Sequence, residues 1–129
     1  MVVVGITILC TYYITSAATG EGKNYLLTIT LDKDVYQQGE RMYITIKNVS
    51  NETLHFTNSN YGLEYQFWNG FSWTFFIGMP GRMVVVELKP GEIGYVQHSL
   101  VGSWYLEVGK WRVGDSYYDC WTEFFVILD

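Results

Sequence analysis

Short runs of β-branched and aromatic residues, separated by turn residues, recur from Tyr25 to Ile127, and this pattern constrains the fold more than any other feature. Within the runs, apolar and polar side chains alternate with a period of two, which places one face of a strand on a core and the other in solvent. No 3.6-residue apolar rhythm, which would indicate helices, persists anywhere. The clearest core-facing sets are Leu27, Ile29 and Leu31, opposed by solvent-facing Thr28 and Thr30, and Met42, Ile44 and Ile46.

Two turn sequences mark where predicted strands end. Asn69-Gly70 separates two aromatic runs, and because both residues tolerate a positive φ, a tight two-residue type I′ hairpin is predicted. Lys89-Pro90-Gly91-Glu92 follows a run at 83–88, where proline fixes φ and glycine accepts the left-handed position. The sequence therefore predicts an all-β, immunoglobulin-like antiparallel β-sandwich of seven to nine strands over residues 24–129.

The N-terminal segment, residues 1–18, is apolar, carries no charge and ends in Ser16-Ala17-Ala18. An apolar run closed by small residues is typical of a cleaved secretory leader, which predicts an extracytoplasmic protein, secreted or at the cell surface. Two alternatives stay open: an uncleaved anchor, which would be the chain's only contact with a membrane, and an extra strand packed on the domain. Residues 19–23 are predicted to form a short linker to the domain.

The chain has two cysteines, Cys10 and Cys120. If the leader is removed, Cys120 remains as a lone thiol, and if the segment is retained, the two can form a disulfide that joins the ends of the chain. Neither cysteine lies beside a basic residue or in a Cys-x-x-Cys pair, so catalytic thiol chemistry has little support.

Charge and motif content argue against several functions. The formal net charge is -5 and the eight basic residues are scattered, so no cationic stripe for nucleic acid is present. His55 and His98 lack neighbouring acids or thiols, and Asp32 and Asp34 lie in a turn with a lysine between them, so we predict no metal or other cofactor. No nucleophile elbow or phosphate loop is found, and we predict that the protein is not an enzyme.

Aromatic residues supply the candidate interaction surface. Alternation places Tyr65, Phe67 and Trp73 in the core, whereas aromatic residues that point away from that row are expected to be exposed. Exposed aromatic patches are typical of protein interfaces and of sugar-stacking platforms, so a protein partner or self-association is predicted, with a glycan as the alternative. The candidate residues are Trp68, Phe71, Phe76, Tyr117 and Tyr118.

Two N-glycosylation sequons lie in one polar turn, Asn48-Val49-Ser50 and Asn51-Glu52-Thr53. In an exported protein this makes Asn48 and Asn51 candidate glycosylation sites. The alternative is that asparagine, serine and threonine are there because turns favour them.

Three motifs occur in order: Leu31 to Glu40 (LDKDVYQQGE), Val86 to Glu92 (VELKPGE) and Leu106 to Val113 (LEVGKWRV). With the segment 65–73, they resemble the bacterial immunoglobulin-like domain family, which is related to the BsuPI-type intracellular proteinase inhibitor domain. The likeness covers about Tyr25 to Val126. It implies an exported β-sandwich in a cell-surface setting, and it carries no catalytic residue.

The leading functional hypothesis is an exported, non-enzymatic immunoglobulin-like module that acts through protein contact in surface attachment, adhesion or assembly. In one variant, the N-terminal segment adds a strand to a neighbour's sheet. The alternatives are a proteinase inhibitor that presents the loop 78–82, as the related family suggests, and a carbohydrate-binding module. In all three, period-two burial is expected to leave no cleft where reactive groups converge.

Overall fold

The computed structural model describes residues 6–9, 26–79, 81–100 and 106–129. These residues form strands and turns without a helix, which confirms the predicted all-β class. Within these ranges no helix has the length and hydropathy to cross a membrane. The described strands are β1 (Ile6–Leu9), β2 (Leu27–Leu31), β3 (Val35–Gln37), β4 (Arg41–Asn48), β5 (Leu54–Phe56), β6 (Leu63–Trp68), β7 (Trp73–Gly78), β8 (Val86–Leu88), β9 (Ile93–Ser99), β10 (Gly109–Asp115), β11 (Cys120–Trp121) and β12 (Phe125–Leu128).

The strands form two large sheets and one small sheet. Sheet A has the order β1-β2-β4-β9, and its described pairs are antiparallel. Sheet B has the order β3-β12-β10-β6-β7, with β11 also paired to β10. Its β12–β3 pair is parallel, so one edge departs from the predicted antiparallel arrangement. The third sheet is the antiparallel pair β5–β8.

The inner faces of sheets A and B share one hydrophobic core, which makes the fold a sandwich. Both predicted core-facing sets, at 27, 29 and 31 and at 42, 44 and 46, are buried, so the period-two prediction is confirmed there. From sheet B, Tyr65, Trp111 and Ile127 face them. Thr28 is buried as well, so the prediction that it faces solvent is wrong.

The strand count and several strand boundaries differ from the prediction. Twelve described strands exceed the expected seven to nine, partly because the C-terminal run divides into β11 and β12. The run at 83–88 forms a strand only from Val86, and residues 83–85 are exposed and irregular. The turn that follows it is confirmed: Gly91 has a φ of 83°, and the Glu92 amide donates to the Lys89 carbonyl at 2.9 Å.

The aromatic hairpin exists, but its predicted tight turn is wrong. β6 ends at Trp68 and β7 begins at its partner Trp73, so the connection has four residues. Gly70 has a positive φ but Asn69 does not, which excludes a type I′ turn. Instead, the Asn69 side-chain oxygen accepts from the amides of Phe71 and Ser72, both at 2.9 Å. The hydrogen-bonding side chain of asparagine therefore shapes this loop.

The N-terminal segment contributes β1, whose residues Ile6–Leu9 pair with β2 at one edge of sheet A. This corresponds to the packed-strand alternative, and cleavage of residues 1–18 stays a prediction. The proposed cleavage site at 16–18, the linker at 19–23 and Cys10 lie outside the described residues. Cys120 is buried and disulfide-bonded, whereas the lone thiol was predicted only for a chain from which residues 1–18 are removed.

Candidate functional site

The outer face of sheet B carries a row of large aromatic side chains. Trp68 on β6 and Trp73 on β7 are direct cross-strand partners, and directly opposed residues project from the same face of a sheet. Their ring centroids lie 5.3 Å apart. Phe75 pairs with Gln66 on the same face and is exposed. These rings therefore lie on the face of sheet B that the core does not use.

Two cations from β10 lie among these rings. The Lys110 ammonium is 5.5 Å from the Trp68 ring and 4.2 Å from the Phe124 ring. The Arg112 guanidinium is 4.8 Å from the Trp73 ring and 4.5 Å from the Trp121 ring. Each cation therefore contacts the faces of two rings, which cation–π attraction favours. We call Trp68, Trp73, Lys110, Arg112, Trp121 and Phe124 the aromatic face.

Polar contacts hold Arg112 in position on the aromatic face. Its Nε donates to Gln66 Oε1 at 2.8 Å, across the β10–β6 pair. Partial burial lowers the pKa of Arg112, opposed by the nearby carboxylates of Asp119 and Glu64. The group keeps its charge at physiological pH because a guanidinium starts from a very high pKa.

The predicted interaction residues separate into two groups. Trp68 lies half-buried on the aromatic face, and Phe71 at the hairpin tip is 91% exposed. Phe76 is half exposed, but its ring packs edge-on against buried Trp111 at 5.0 Å. Tyr117 and Tyr118 belong to the β10–β11 turn, away from the hairpin. The candidate surface predicted from sequence is therefore not one continuous patch.

Sequence reasoning placed one member of the aromatic face wrongly and missed four. Trp73 was predicted in the core, but its pairing with Trp68 puts it on the outer face. The four missed residues come from other parts of the chain, and only the cross-strand register brings them to the hairpin. The i, i+2 spacing of two cations on β10 was the one available signal. The missed residues are Lys110, Arg112, Trp121 and Phe124.

A second site is a pocket of about 420 Å³ at the end of β10. Residues of β5 and of the β10–β11 turn line it, among them His55, Phe56, Asp115 and Tyr118. Period-two burial was expected to leave no cleft where reactive groups converge, and this pocket brings the side chains of His55 and Asp115 into one lining. It lies between β5 and the β10–β11 turn, two segments whose proximity the alternation within single strands does not predict.

Asp115 is the ionisable group that the pocket perturbs most. It is the last residue of β10 and only 4% exposed. Burial raises its pKa to about 6, against the opposing effect of the Tyr118 and Tyr117 amides, which donate to its carboxylate. Glu64 adds a smaller upward effect on the pKa.

The two histidines occupy different environments. His55 was predicted to lack an acidic neighbour, but the β5–β8 pairing places Glu87 Oε1 at 3.4 Å from its Nε2. His98 on β9 contacts the hydroxyl of buried Tyr65 through Nδ1. Among the described residues, no group of three histidine, cysteine, aspartate or glutamate side chains has the arrangement of a metal site. Asp32 instead accepts from the Tyr36 hydroxyl at 2.6 Å and from the Tyr43 amide at 3.0 Å.

The two sequon asparagines differ in accessibility. Asn48 is fully buried, and its Nδ2 donates to the carbonyls of Glu52 and Leu88, both at 2.7 Å. Glycosylation at that nitrogen is incompatible with this packing, so Asn48 is not a site in the folded domain. Asn51 is exposed, and its glycosylation stays a prediction.

Comparisons with known proteins add little to this description. No family model matches the chain, and no curated protein matches it. Among solved structures, the chain is similar to a β-glucosidase from Listeria innocua in complex with glucose, with a TM-score of 0.46 and 18% sequence identity. The similarity covers 85% of this chain but only 17% of the β-glucosidase chain.

Proposed function

We propose that the protein is an exported, non-enzymatic module that binds another protein through the aromatic face. The observation that supports this proposal is the interleaving of Lys110 and Arg112 with four aromatic rings on a sheet face that the core does not use. Aromatic residues and arginine are enriched in protein interfaces, and tryptophan, tyrosine and arginine dominate their binding energy. This face has that composition.

The arrangement of the rings favours a protein partner over a glycan. Sugar rings stack on open aromatic faces, whereas here Lys110 and Arg112 lie over the rings of Trp68 and Trp73. A glycan would have to displace these cations before it could stack. An acidic or aromatic protein surface can engage rings and cations together, and complementary charge both speeds association and selects the partner.

Export is supported by the apolar, uncharged segment at residues 1–18 and by the state of Cys120. This cysteine is disulfide-bonded, and disulfides persist mainly in oxidising compartments outside the cytosol. The other cysteine in the sequence is Cys10, and a bond between the two would require that residues 1–18 stay attached. The anchor and packed-strand alternatives meet that requirement.

The proteinase-inhibitor alternative is not favoured by the loop 78–82. Met79 is buried and its amide donates to the Leu63 carbonyl at 2.8 Å. An inhibitor must offer such a loop to the proteinase, whereas this one is anchored inward at Met79. Arg82 is exposed, but Ser59 binds both its amide and its carbonyl.

Site-specific photo-crosslinking tests the proposal. A photoreactive phenylalanine analogue replaces Trp73 on the aromatic face or, as the matched control, Tyr95, which is 73% exposed on the outer face of sheet A. Irradiation of the cells that produce each protein is expected to give a discrete protein adduct from position 73 and none from position 95. An adduct of twice the chain mass would identify self-association.

Two results would contradict the proposal. One is the absence of any protein adduct from position 73. The other is retention of the protein on an insoluble polysaccharide, abolished by Trp73→Ala and unaffected by Tyr95→Ala, which would identify a carbohydrate-binding module instead.

A further inference from the structure

We propose that the pocket at the end of β10 binds an organic cation, a primary ammonium or guanidinium group on an alkyl stem, with Asp115 as its counter-ion. The site is separate from the aromatic face, and its test does not depend on the function proposed for that face. Free amines and basic peptide side chains share this chemistry, and the experiment below distinguishes them.

The two oxygens of the Asp115 carboxylate differ in their hydrogen bonds: backbone amides donate to Oδ1 and not to Oδ2. Oδ1 accepts from the amides of Tyr117 at 2.8 Å and Tyr118 at 3.1 Å, which fixes the orientation of the carboxylate. Within the described part of the chain, no hydrogen bond reaches Oδ2. This oxygen is accessible from the pocket that Asp115 lines, so a cationic donor in the pocket can form a charge-assisted hydrogen bond with it.

The surroundings of Asp115 provide no positive counter-charge among the described residues. The charged side chain that acts on it most is the carboxylate of Glu64, which repels it. Of the pocket's other ionisable groups, His55 is paired with Glu87, and Tyr117 and Tyr118 are phenols. With a pKa of about 6, Asp115 is ionised at neutral pH. The pocket therefore holds an uncompensated negative charge.

The walls of the pocket suit a cation better than a sugar. Phe56, Tyr117 and Tyr118 line it, with ring centroids 5.3 Å apart for Phe56 and Tyr118 and 4.9 Å apart for the two tyrosines. Aromatic rings attract ammonium and guanidinium groups. The Tyr118 hydroxyl donates to the His55 carbonyl at 2.8 Å and accepts from the His55 amide at 3.0 Å. Because it is engaged in this way, it is not free to bind the hydroxyl groups of a sugar.

Gly62 keeps the free oxygen approachable. It lines the pocket, and a Cβ at this position would stand 3.1 Å from Asp115 Oδ2. Its φ of 65° is a conformation that favours glycine. The pocket volume of about 420 Å³ lies within the range of ordinary small-ligand sites. An alkyl stem can lie along the aromatic walls while its charged end meets Asp115.

The experiment is an NMR titration of the full-length, ¹⁵N-labelled protein with n-butylammonium chloride at pH 7.5 and constant ionic strength. Saturable shifts are expected at the amides of Gly62 and residues 115–118. The neutral alcohol n-pentanol, of similar length, is expected to bind at least about tenfold more weakly, which is the scale of one charge-assisted hydrogen bond. Nα-acetyl-lysinamide and n-butylguanidinium complete the set. Tighter binding of the lysinamide would identify a basic side chain as the natural occupant, and tighter binding of n-butylammonium a free amine.

Three variants make the test specific to the carboxylate. Asp115→Asn keeps the oxygen that accepts from Tyr117 and Tyr118 but removes the charge, and it is expected to weaken n-butylammonium binding at least about tenfold. Asp34→Asn, a matched change at an exposed turn, is expected to leave binding unchanged within about twofold. Tyr117→Ala, at a residue 84% exposed, removes one wall with little risk to folding and is expected to weaken binding about threefold.

The proposal would be overturned if n-pentanol bound as tightly as n-butylammonium, or if folded Asp115→Asn bound the cation like the parent protein. The absence of saturable shifts at Gly62 and residues 115–118 would overturn it as well.

Discussion

Asn48 allows a stability prediction with a matched control in the same turn. Its side chain makes four hydrogen bonds: Nδ2 donates to the carbonyls of Glu52 and Leu88, and Oδ1 accepts from the amide and the hydroxyl of Ser50. The bond to the Leu88 carbonyl joins the end of β4 to β8, and the other three lie within the turn at 48–52. Replacement by alanine removes all four, and water can reach the groups of Ser50 and Glu52 but not the carbonyl of buried Leu88.

The expected cost follows from that difference. An unsatisfied buried carbonyl costs about 1–3 kcal/mol, and each lost hydrogen bond near solvent about 0.5 kcal/mol or somewhat more. Asn48→Ala is therefore expected to lower the free energy of unfolding by about 3 kcal/mol. For a chain of this size the Tm should fall by about 10 °C. Asn48→Asp should be at least as destabilising, because it places an oxygen against two carbonyl oxygens.

Urea unfolding followed by tryptophan fluorescence measures both variants against the parent protein. Asn51→Ala is the control, since Asn51 is exposed in the second sequon and its loss should change the free energy of unfolding by less than about 0.5 kcal/mol. A loss below about 1 kcal/mol for Asn48→Ala, or equal effects of the two alanine variants, would refute the reasoning from burial.

Further predictions concern three buried residues. Because burial raises the pKa of Asp115 from 3.8 to about 6, the folded protein binds a proton more tightly than the unfolded chain. The free energy of unfolding of the parent protein should therefore fall as pH rises from about 4 to about 6. Relative to Asp115→Asn, the fall should be up to about 3 kcal/mol. Urea unfolding of both proteins across that pH range measures the difference in stability, and parallel curves would contradict the prediction. Trp111→Ala should lower the free energy of unfolding by about 3–5 kcal/mol, because the indole is buried against Phe67 and Phe76. A loss below about 2 kcal/mol in the same assay would refute this. Cys120→Ser should cost about 2–5 kcal/mol through loss of its disulfide, and reductant should lower the Tm of the parent protein but not of the variant; an equal effect of reductant on both would count against it.

Local pattern predicted much of the sandwich. The alternation in β2 and β4 identified the residues that fill sheet A's side of the core, because a side chain's face in a strand depends only on its position within that strand. The turn at 89–92 was likewise predicted correctly, since proline and glycine act on their own φ angles. Features that depend on a few adjacent residues were accessible from the sequence.

The candidate sites depend on register between distant segments and were largely missed. The loop of four residues between Trp68 and Trp73 reflects the hydrogen bonds of the Asn69 side chain rather than the Asn-Gly pair alone. His55 meets Glu87 because β5 pairs with β8, which no local signal indicates. No local signal marks Asp115 as a pocket residue. It lines the pocket because the β10–β11 turn lies close to β5.

The most direct test of the central claim, that the aromatic face is the contact surface, is the affinity of the crosslinked partner for purified variants. Calorimetry should show at least about a tenfold loss for Trp68→Ala and for Arg112→Ala, as expected of residues central to an interface. Tyr95→Ala on the opposite sheet should change the affinity by less than about twofold. Unchanged affinity for both folded aromatic-face variants, or a loss confined to Tyr95→Ala, would contradict the account.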